Sequence, residues 1–245
     1  MMEEREEIID QQLQIIHIQL LQAEDMINSF NTLGAELMLN NVEPLIKTCE
    51  EHSFISCYYE LRERVCERNG DIQGFEQASI LSLRFATNDA AKSRGYTLLA
   101  RSLIRQKRFN EALQACDNAI LHGQKVPENT KFCAEPMRIK GDIYYKQGMY
   151  DKAIHYLNEA AYYAEQNKLY ADLGSALAQQ GDCFRKIHKP ELALSIYLKA
   201  ETYFRDCHNY YYYSSVLLRR VDLMFELGLD DKAKKIISQY VNEKP

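Results

Sequence analysis

Small residues recur in this chain at a fixed interval. Ala112, Ala153, Ala193 and Ala233 stand 41, 40 and 40 residues apart, each inside a related run: "RFNEALQACDNAI", "MYDKAIHYLNEA", "KPELALSIYLKA" and "LDDKAKKIISQY". A second small residue, Ala100, Gly141 or Gly181, lies 12 positions before the first three anchors, and Ala119, Ala160 and Ala200 lie seven after. Such spacing has a packing cause. Two helices approach closely only where one side chain is small and a neighbour fills the gap. Leu103, Tyr144, Phe184 and Met224, three residues beyond each small position and on the same helical face, are the expected fillers. "KQGMY" and "KRFN" mark turns between helices. A two-helix unit cannot bury its apolar face alone, so neighbouring units must stack.

Gly141, Tyr144, Gly148, Tyr150, Ala153, Leu157 and Ala160 resemble the small–aromatic–turn–Ala–aromatic–Ala signature of the tetratricopeptide repeat (TPR). The resemblance runs from about residue 56 to 240, closest over 134–165. It implies an all-α fold: a right-handed α-solenoid of stacked antiparallel helix pairs in a single domain. The units are expected at about 56–92, 93–133, 134–173, 174–213 and 214–245, after an N-terminal segment 1–55. The common repeat has about 34 residues, whereas this one repeats near 40, with the extra length in "HGQKVPENTKFCAEP" and "AEQNKLYADLG". Longer helices or longer connections both account for it. That spacing resembles the longer-repeat members of the superfamily: kinesin light chains, polarity adaptors, bacterial peptide-sensing regulators and a scaffold subunit of the anaphase-promoting complex. Only "LKAETYFRDCHNYYYYSSVLLRRVDLMFELG" points to the last.

Residues 1–55 lie outside the clear repeats. "EEIIDQQLQIIHIQLLQAEDMI" is apolar at 8, 9, 13, 15, 16, 18, 20 and 21, a wide stripe at helical spacing, and Pro44 suits the first position of a following helix. A solenoid end must be covered, so a helical cap or degenerate repeat is expected here. A helix for self-association or partner docking is the sharper alternative.

Composition narrows function mainly by exclusion. The net charge of −5 argues against a general nucleic-acid or anionic-membrane binder. Seven Cys without framework spacing read as reduced thiols of a cytosolic or nuclear protein. The acidic start "MMEEREEIID" is unlike a signal peptide, and no apolar run approaches the length that spans a bilayer. The closing "NEKP" follows a helical pattern directly, as it would in a piece of a longer protein. Cys49 and His52, and Cys207 beside His208, lack the second pair that a structural zinc site needs, so packing is the expected role and no metal or cofactor is expected. Nucleophile-elbow, phosphate-loop and His-Glu-x-x-His motifs are missing, so an enzyme is not expected. The four tyrosines Tyr210 to Tyr213 must cover all sides of a helix; two are expected to pack and the others to face outward.

In TPR proteins the first helix of each unit lines a groove, with side chains one and four residues after the small position and three before it turned inward. Carried over, the resemblance selects Arg101, with Arg105 beside it; then Arg138, Asp142 and Tyr145, with Lys146 adjacent; then Asp182 and Arg185; and finally Asp222, while Arg94 joins Arg101, Arg105 and Arg138 in the arginine cluster. Arginines gather in two neighbouring units, and aspartates recur one residue after the small position in the last three. A bipolar groove favours an extended ligand with acidic residues at one end and basic residues at the other. The plainer reading pairs Asp142 with Arg138 or Arg185. Asn stands at the Asp142 and Asp182 positions in co-chaperones that grip C-terminal carboxylates, so chaperone docking is disfavoured. The expected function is a non-catalytic protein-interaction scaffold holding a peptide or a partner subunit, within a large assembly such as a cell-cycle ubiquitin ligase. The alternative is a peptide-sensing regulator of quorum-sensing type whose superhelix changes on binding. No helix-turn-helix precedes the repeats. Partners are a protein or peptide, with no direct nucleic-acid or membrane contact, and the oligomeric state is open.

Overall fold

In the computed structural model the described residues are 2–126 and 131–242, with side chains from Ile9 onward. Residues 127–130 of the longer connection, the Ile8 side chain and the closing residues 243–245 lie outside the described residues. Among those described there are twelve helices and no strand. The chain forms two compact units, residues 1–126 and 127–245. The first unit holds α1 (Met2–Asn28), α2 (Thr32–Thr48), α3 (His52–Asn69), α4 (Ile72–Arg84), α5 (Asp89–Arg105) and α6 (Phe109–Gly123). The second holds α7 (Lys131–Lys146), α8 (Tyr150–Gln166), α9 (Tyr170–Lys186), α10 (Pro190–Asp206), α11 (Tyr210–Glu226) and α12 (Asp230–Asn242).

From α8 onward the backbone keeps a 20-residue beat. Gly148, Lys168, His188, His208 and Gly228 all adopt left-handed backbone angles, with φ from 55° to 74°. After each, one N–H reaches back to the carbonyl five residues earlier: Met149 to Tyr144, Leu169 to Ala164, Lys189 to Phe184, Asn209 to Phe204 and Leu229 to Met224, at 2.8–2.9 Å. This is the helix-ending bond of a Schellman motif. Helices α8 to α11 have 17 residues each, and three-residue turns join them. Two such steps make the 40-residue period, so the extra length lies in the helices. "AEQNKLYADLG" is accordingly a helix end, a short turn and a helix start; it holds no long connection.

The anchoring alanines are sealed in the core, all four at 0% exposure. Their gap-fillers differ from the expected ones. A Cβ on Gly141 would stand 2.6 Å from Leu157, and one on Gly181 would stand 2.4 Å from the Tyr197 ring. Leu157 and Tyr197 come from the second helix of the same pair, four residues after its anchor, and are fully buried. Leu103 and Met224 are buried as well, but Tyr144 and Phe184 are only half-buried at the edge of their clusters. A filler must come from the facing helix, and spacing within one helix does not reveal that.

α1 and α2 form a helix pair like the others. Ile16, Leu20, Ala23 and Ile27 of α1 join Ala35, Leu39, Val42 and Ile46 of α2 and Ile55, Tyr58, Leu61 and Val65 of α3 in one core. Only part of the wide apolar stripe is used there, since Ile9, Ile15, Ile18 and Leu21 stay 47–54% exposed. Pro44 departs from its expected place: it lies inside α2. An interior proline costs a helix about 3 kcal/mol. Pro44 is exposed, and the buried stripe on the opposite side holds α2 in place.

Candidate functional site

The first helices of the second unit's pairs, α7, α9 and α11, lie side by side, with α9 touching both others. Each presents a polar stripe at three- and four-residue spacing: Glu135, Arg138, Asp142 and Tyr145 on α7; Asp172, Ser175, Gln179 and Asp182 on α9; Ser215, Arg219, Asp222 and Glu226 on α11. Asp142, Asp182 and Asp222 keep the 40-residue period and form one row across the helices. One turn back, Arg138, Gln179 and Arg219 line one cavity, at steps of 41 and 40 residues.

A cavity of about 130 Å³ opens between these helices at the basic row. Arg138 and Arg219 supply its charge, Ser175 and Ser215 its hydroxyls, and Phe204 and Tyr212, stacked at 5.4 Å, an aromatic wall. Two polar atoms in this wall, Arg138 Nε and Gln179 Oε1, are buried without a hydrogen-bond partner. Each such atom costs about 1–3 kcal/mol relative to a satisfied one. Arg138 Nη2 stands 3.7 Å from Glu135, beyond hydrogen-bond reach. Arg219 donates to Asp182 Oδ2 at 2.7 Å, and the fully buried Tyr197 hydroxyl donates to Asp182 Oδ1 at 2.7 Å. Burial pushes the Asp182 carboxyl upward against the pull of Arg219 and Tyr197. Burial also raises Asp172, with Glu135 adding to it and Arg138 opposing.

The other expected residues of this unit have local partners. Asp142 pairs with Lys146 one turn on, in place of Arg138 or Arg185. Arg185 reaches across to Glu226, which raises its pKa, and Asp222 is exposed near it. Tyr145 is half-buried against Tyr150 at 5.6 Å; burial and the Asp182 charge hold its phenol above the ordinary range. Gln179 and Arg219 were missed by the sequence reading. They lie two residues before Gly181 and Val221, a step outside the family pattern that was carried over, whereas Arg138 lies three before Gly141, so the sequence carries no signal that joins them to Arg138.

In the first unit the arginines meet acids of α3. Arg94 pairs with Glu60 at 3.3 Å, and Arg101 and Arg105 both hold Glu67, the latter at 2.5 Å. Arg64 bridges back to Glu24 and Asn28 of α1. These are cross-helix pairs between neighbouring helix pairs, half in water, where each contributes little on its own.

Tyr213 packs on the α9–α11 core, while Tyr210, Tyr211 and Tyr212 stay 52%, 77% and 49% exposed, Tyr212 stacking on Phe204 at 5.4 Å, so one of the four packs inward where two were expected. Cys49 packs on the first unit's core and Cys207 on the second's. Cys116 is fully buried. Burial pushes the Cys57 thiol up to about 11 and the Cys183 thiol up to about 12, which leaves both protonated and inert near neutrality. Among the described residues no three His, Cys, Asp or Glu side chains gather as a metal site would require, and no helix is long and apolar enough to cross a membrane.

Residues 92–166 match the model of the tetratricopeptide repeat family. A search of curated proteins finds no match. Among solved structures, a Rap protein complexed with competence and sporulation factor is similar at a TM-score of 0.67 and 12% identity, covering 93% of this chain and 75% of that one. PilW, a type IV pilus biogenesis factor, matches at 0.67 and 15%, covering 94% of each chain. The apo quorum sensor NprR from B. thuringiensis matches at 0.68 and 14%, covering 93% of this chain and 64% of that one. At such low identity these likenesses establish the fold class: an all-α, TPR-like helical solenoid.

Proposed function

We propose that this chain is a non-catalytic protein-interaction scaffold whose α7–α9–α11 face holds a polypeptide segment. The observation that carries this reading is the cavity at the basic row, with Arg138 Nε and Gln179 Oε1 buried in its wall and unpartnered. A polypeptide brings amide donors and carbonyl or carboxylate acceptors in alternation, and after a small rotation of the two side chains it can satisfy both. The adjacent aspartate row favours a ligand carrying charges of both signs. The match to tetratricopeptide repeats over 92–166 supports an interaction role.

Binding of a fluorescent array of synthetic peptides with varied charge patterns tests the reading, using the chain and its Gln179→Glu and Ser215→Asp variants. Mixed-charge peptides should bind, and each variant should weaken them at least fivefold or so, about 1 kcal/mol. Absence of peptide binding, or binding that both variants leave unchanged, rejects this face as the site.

A second reading, a peptide-sensing regulator, draws support from the likeness to the Rap protein complexed with competence and sporulation factor and to the quorum sensor NprR. A switch thrown from mostly one state to mostly the other needs about 5 kcal/mol of differential affinity. X-ray scattering with saturating peptide separates the two readings: compaction favours the regulator, and an unchanged radius favours the scaffold.

A further inference from the structure

We propose, on the reading of the α7–α9–α11 face as a polypeptide site, that the bound segment places one internal acidic side chain in the cavity at the basic row and flanks it with basic residues on both sides. The cavity of about 130 Å³ is well below the roughly 300–1,000 Å³ of pockets that enclose a whole small molecule, so it takes a single side chain. The open edge of Arg138 decides the chemistry of that side chain. An arginine grips a carboxylate with two parallel hydrogen bonds, and this chain repeatedly uses the Nε–Nη2 edge to do so. Through it Arg220 holds both oxygens of Glu201 at 2.5 and 2.8 Å, Arg108 holds Glu111 at 2.8 and 2.6 Å, and Arg185 holds Glu226. The same edge of Arg138 holds no carboxylate: Nε has no partner, and Nη2 stands 3.7 Å from Glu135. A small rotation of the side chain turns that edge into the cavity. Ser175 already donates its hydroxyl to the Ala171 carbonyl at 2.8 Å, while Arg219 and Ser215 add further donors to the lining.

Neighbouring charge narrows the occupant further. Arg219 is already matched by Asp182, and Glu135 and Asp172 lie near Arg138. Against acids this close, the single charge of a carboxylate is favoured over the charge of about −1.5 to −2 on a phosphate. Acids also stand on both sides of the basic row along the helices, with Glu135 and Asp172 before it and Asp142, Asp182 and Asp222 beyond. A helical turn rises about 5.4 Å and an extended chain advances about 3.3 Å per residue, so a basic residue about two positions from the central acid reaches the acids a turn away. A chain terminus has neighbours on one side only. Acids on both sides of the cavity therefore favour an internal residue of the bound segment.

Fluorescence anisotropy of the full chain with short synthetic peptides, blocked at both ends and carrying a central Glu with a Lys two positions to either side, tests the proposal. The Glu peptide should bind at least about tenfold tighter than its counterpart with a central Gln. Arg138→Lys keeps the charge but lacks the fork, so it should bring that ratio below about twofold. Gln179→Glu, which sets a like charge in the cavity wall, should do the same, and circular dichroism checks that both variants stay folded. Phosphoserine in place of the Glu should bind no tighter. A Gln peptide with a free C-terminal carboxylate should bind no better than the blocked one. Equal binding of the Glu and Gln peptides, both weakened by Ser215→Leu, which fills the cavity without charge, overturns the carboxylate and leaves the face as a peptide site. Tighter binding of phosphoserine, or rescue by the free terminus, overturns it as well. Absence of binding by every peptide removes the polypeptide reading of the face together with the proposal.

Discussion

At the residue scale, the turns between helices show how weak local signals sum to a fixed geometry. Gly148 and Gly228 enter the left-handed region freely, but Lys168, His188 and His208 do so with a Cβ that crowds the following carbonyl, at a cost of roughly 1–2 kcal/mol each. Packing of the 17-residue helices on either side imposes that conformation. His188→Gly removes the crowding while adding some unfolded-chain entropy, so the net expected gain is about 0.5–1 kcal/mol, read as a higher urea midpoint. A loss of stability would mean that the His188 side chain carries weight of its own. Gly148 was legible in "KQGMY"; His188 was legible only through Pro190, which suits the first turn of α10. Lys168 falls in "AEQNKLYADLG", read as length between two units, but no Gly or Pro at the turn marks the left-handed residue itself.

At the element scale, helix pairs are joined by apolar contact and by a few buried ion pairs of unequal value. Arg220 on α11 holds Glu201 on α10 with two hydrogen bonds at 2.5 and 2.8 Å, and the two side chains are only 14% and 5% exposed. Removing one partner leaves the other charge buried and unmatched. Arg220→Ala should therefore cost about 3–5 kcal/mol in urea unfolding, whereas Lys47→Ala, which breaks an exposed pair with Glu43, should cost under about 0.5 kcal/mol. Equal losses would refute that ranking. The helices themselves were readable from periodicity. Which residue of the facing helix fills the gap at Gly141 or Gly181 was not, because that depends on how two helices are set against each other.

At the scale of the whole molecule, pH should act in an uncommon direction. Burial raises the carboxyls of Glu60, Asp172, Asp182 and Glu201. The folded chain therefore holds their protons more tightly than the unfolded chain does. Their contribution to stability is greatest below the ordinary carboxylate pKa and is lost as pH rises through the raised values. Glu43, Asp89 and Glu111 are lowered by hydrogen-bonding cations or His122, and their contribution is lost only as pH falls through the lowered values. The melting midpoint should hold or rise from about pH 7 to about pH 5 and fall below about pH 4. Asp172→Asn should raise the midpoint at pH 7 more than at pH 4. Scanning calorimetry across that range checks both, and a steady decline from pH 7 downward would contradict them.

The sequence alone determined that the chain is helical, that its helices come in pairs, and that the pairs repeat every 40 residues. Those properties follow from small residues and apolar stripes, whose effects are local or periodic. The fully buried alanines were legible for the same reason. Tertiary structure decided the rest. Pro44 sits within a helix because the far side of α2 is buried. Arg101 and Arg105 close on Glu67 because side chains pair with whatever charge the packed neighbours bring within reach. The basic row at Arg138, Gln179 and Arg219 exists only when three helices align, and no single helix carries that pattern.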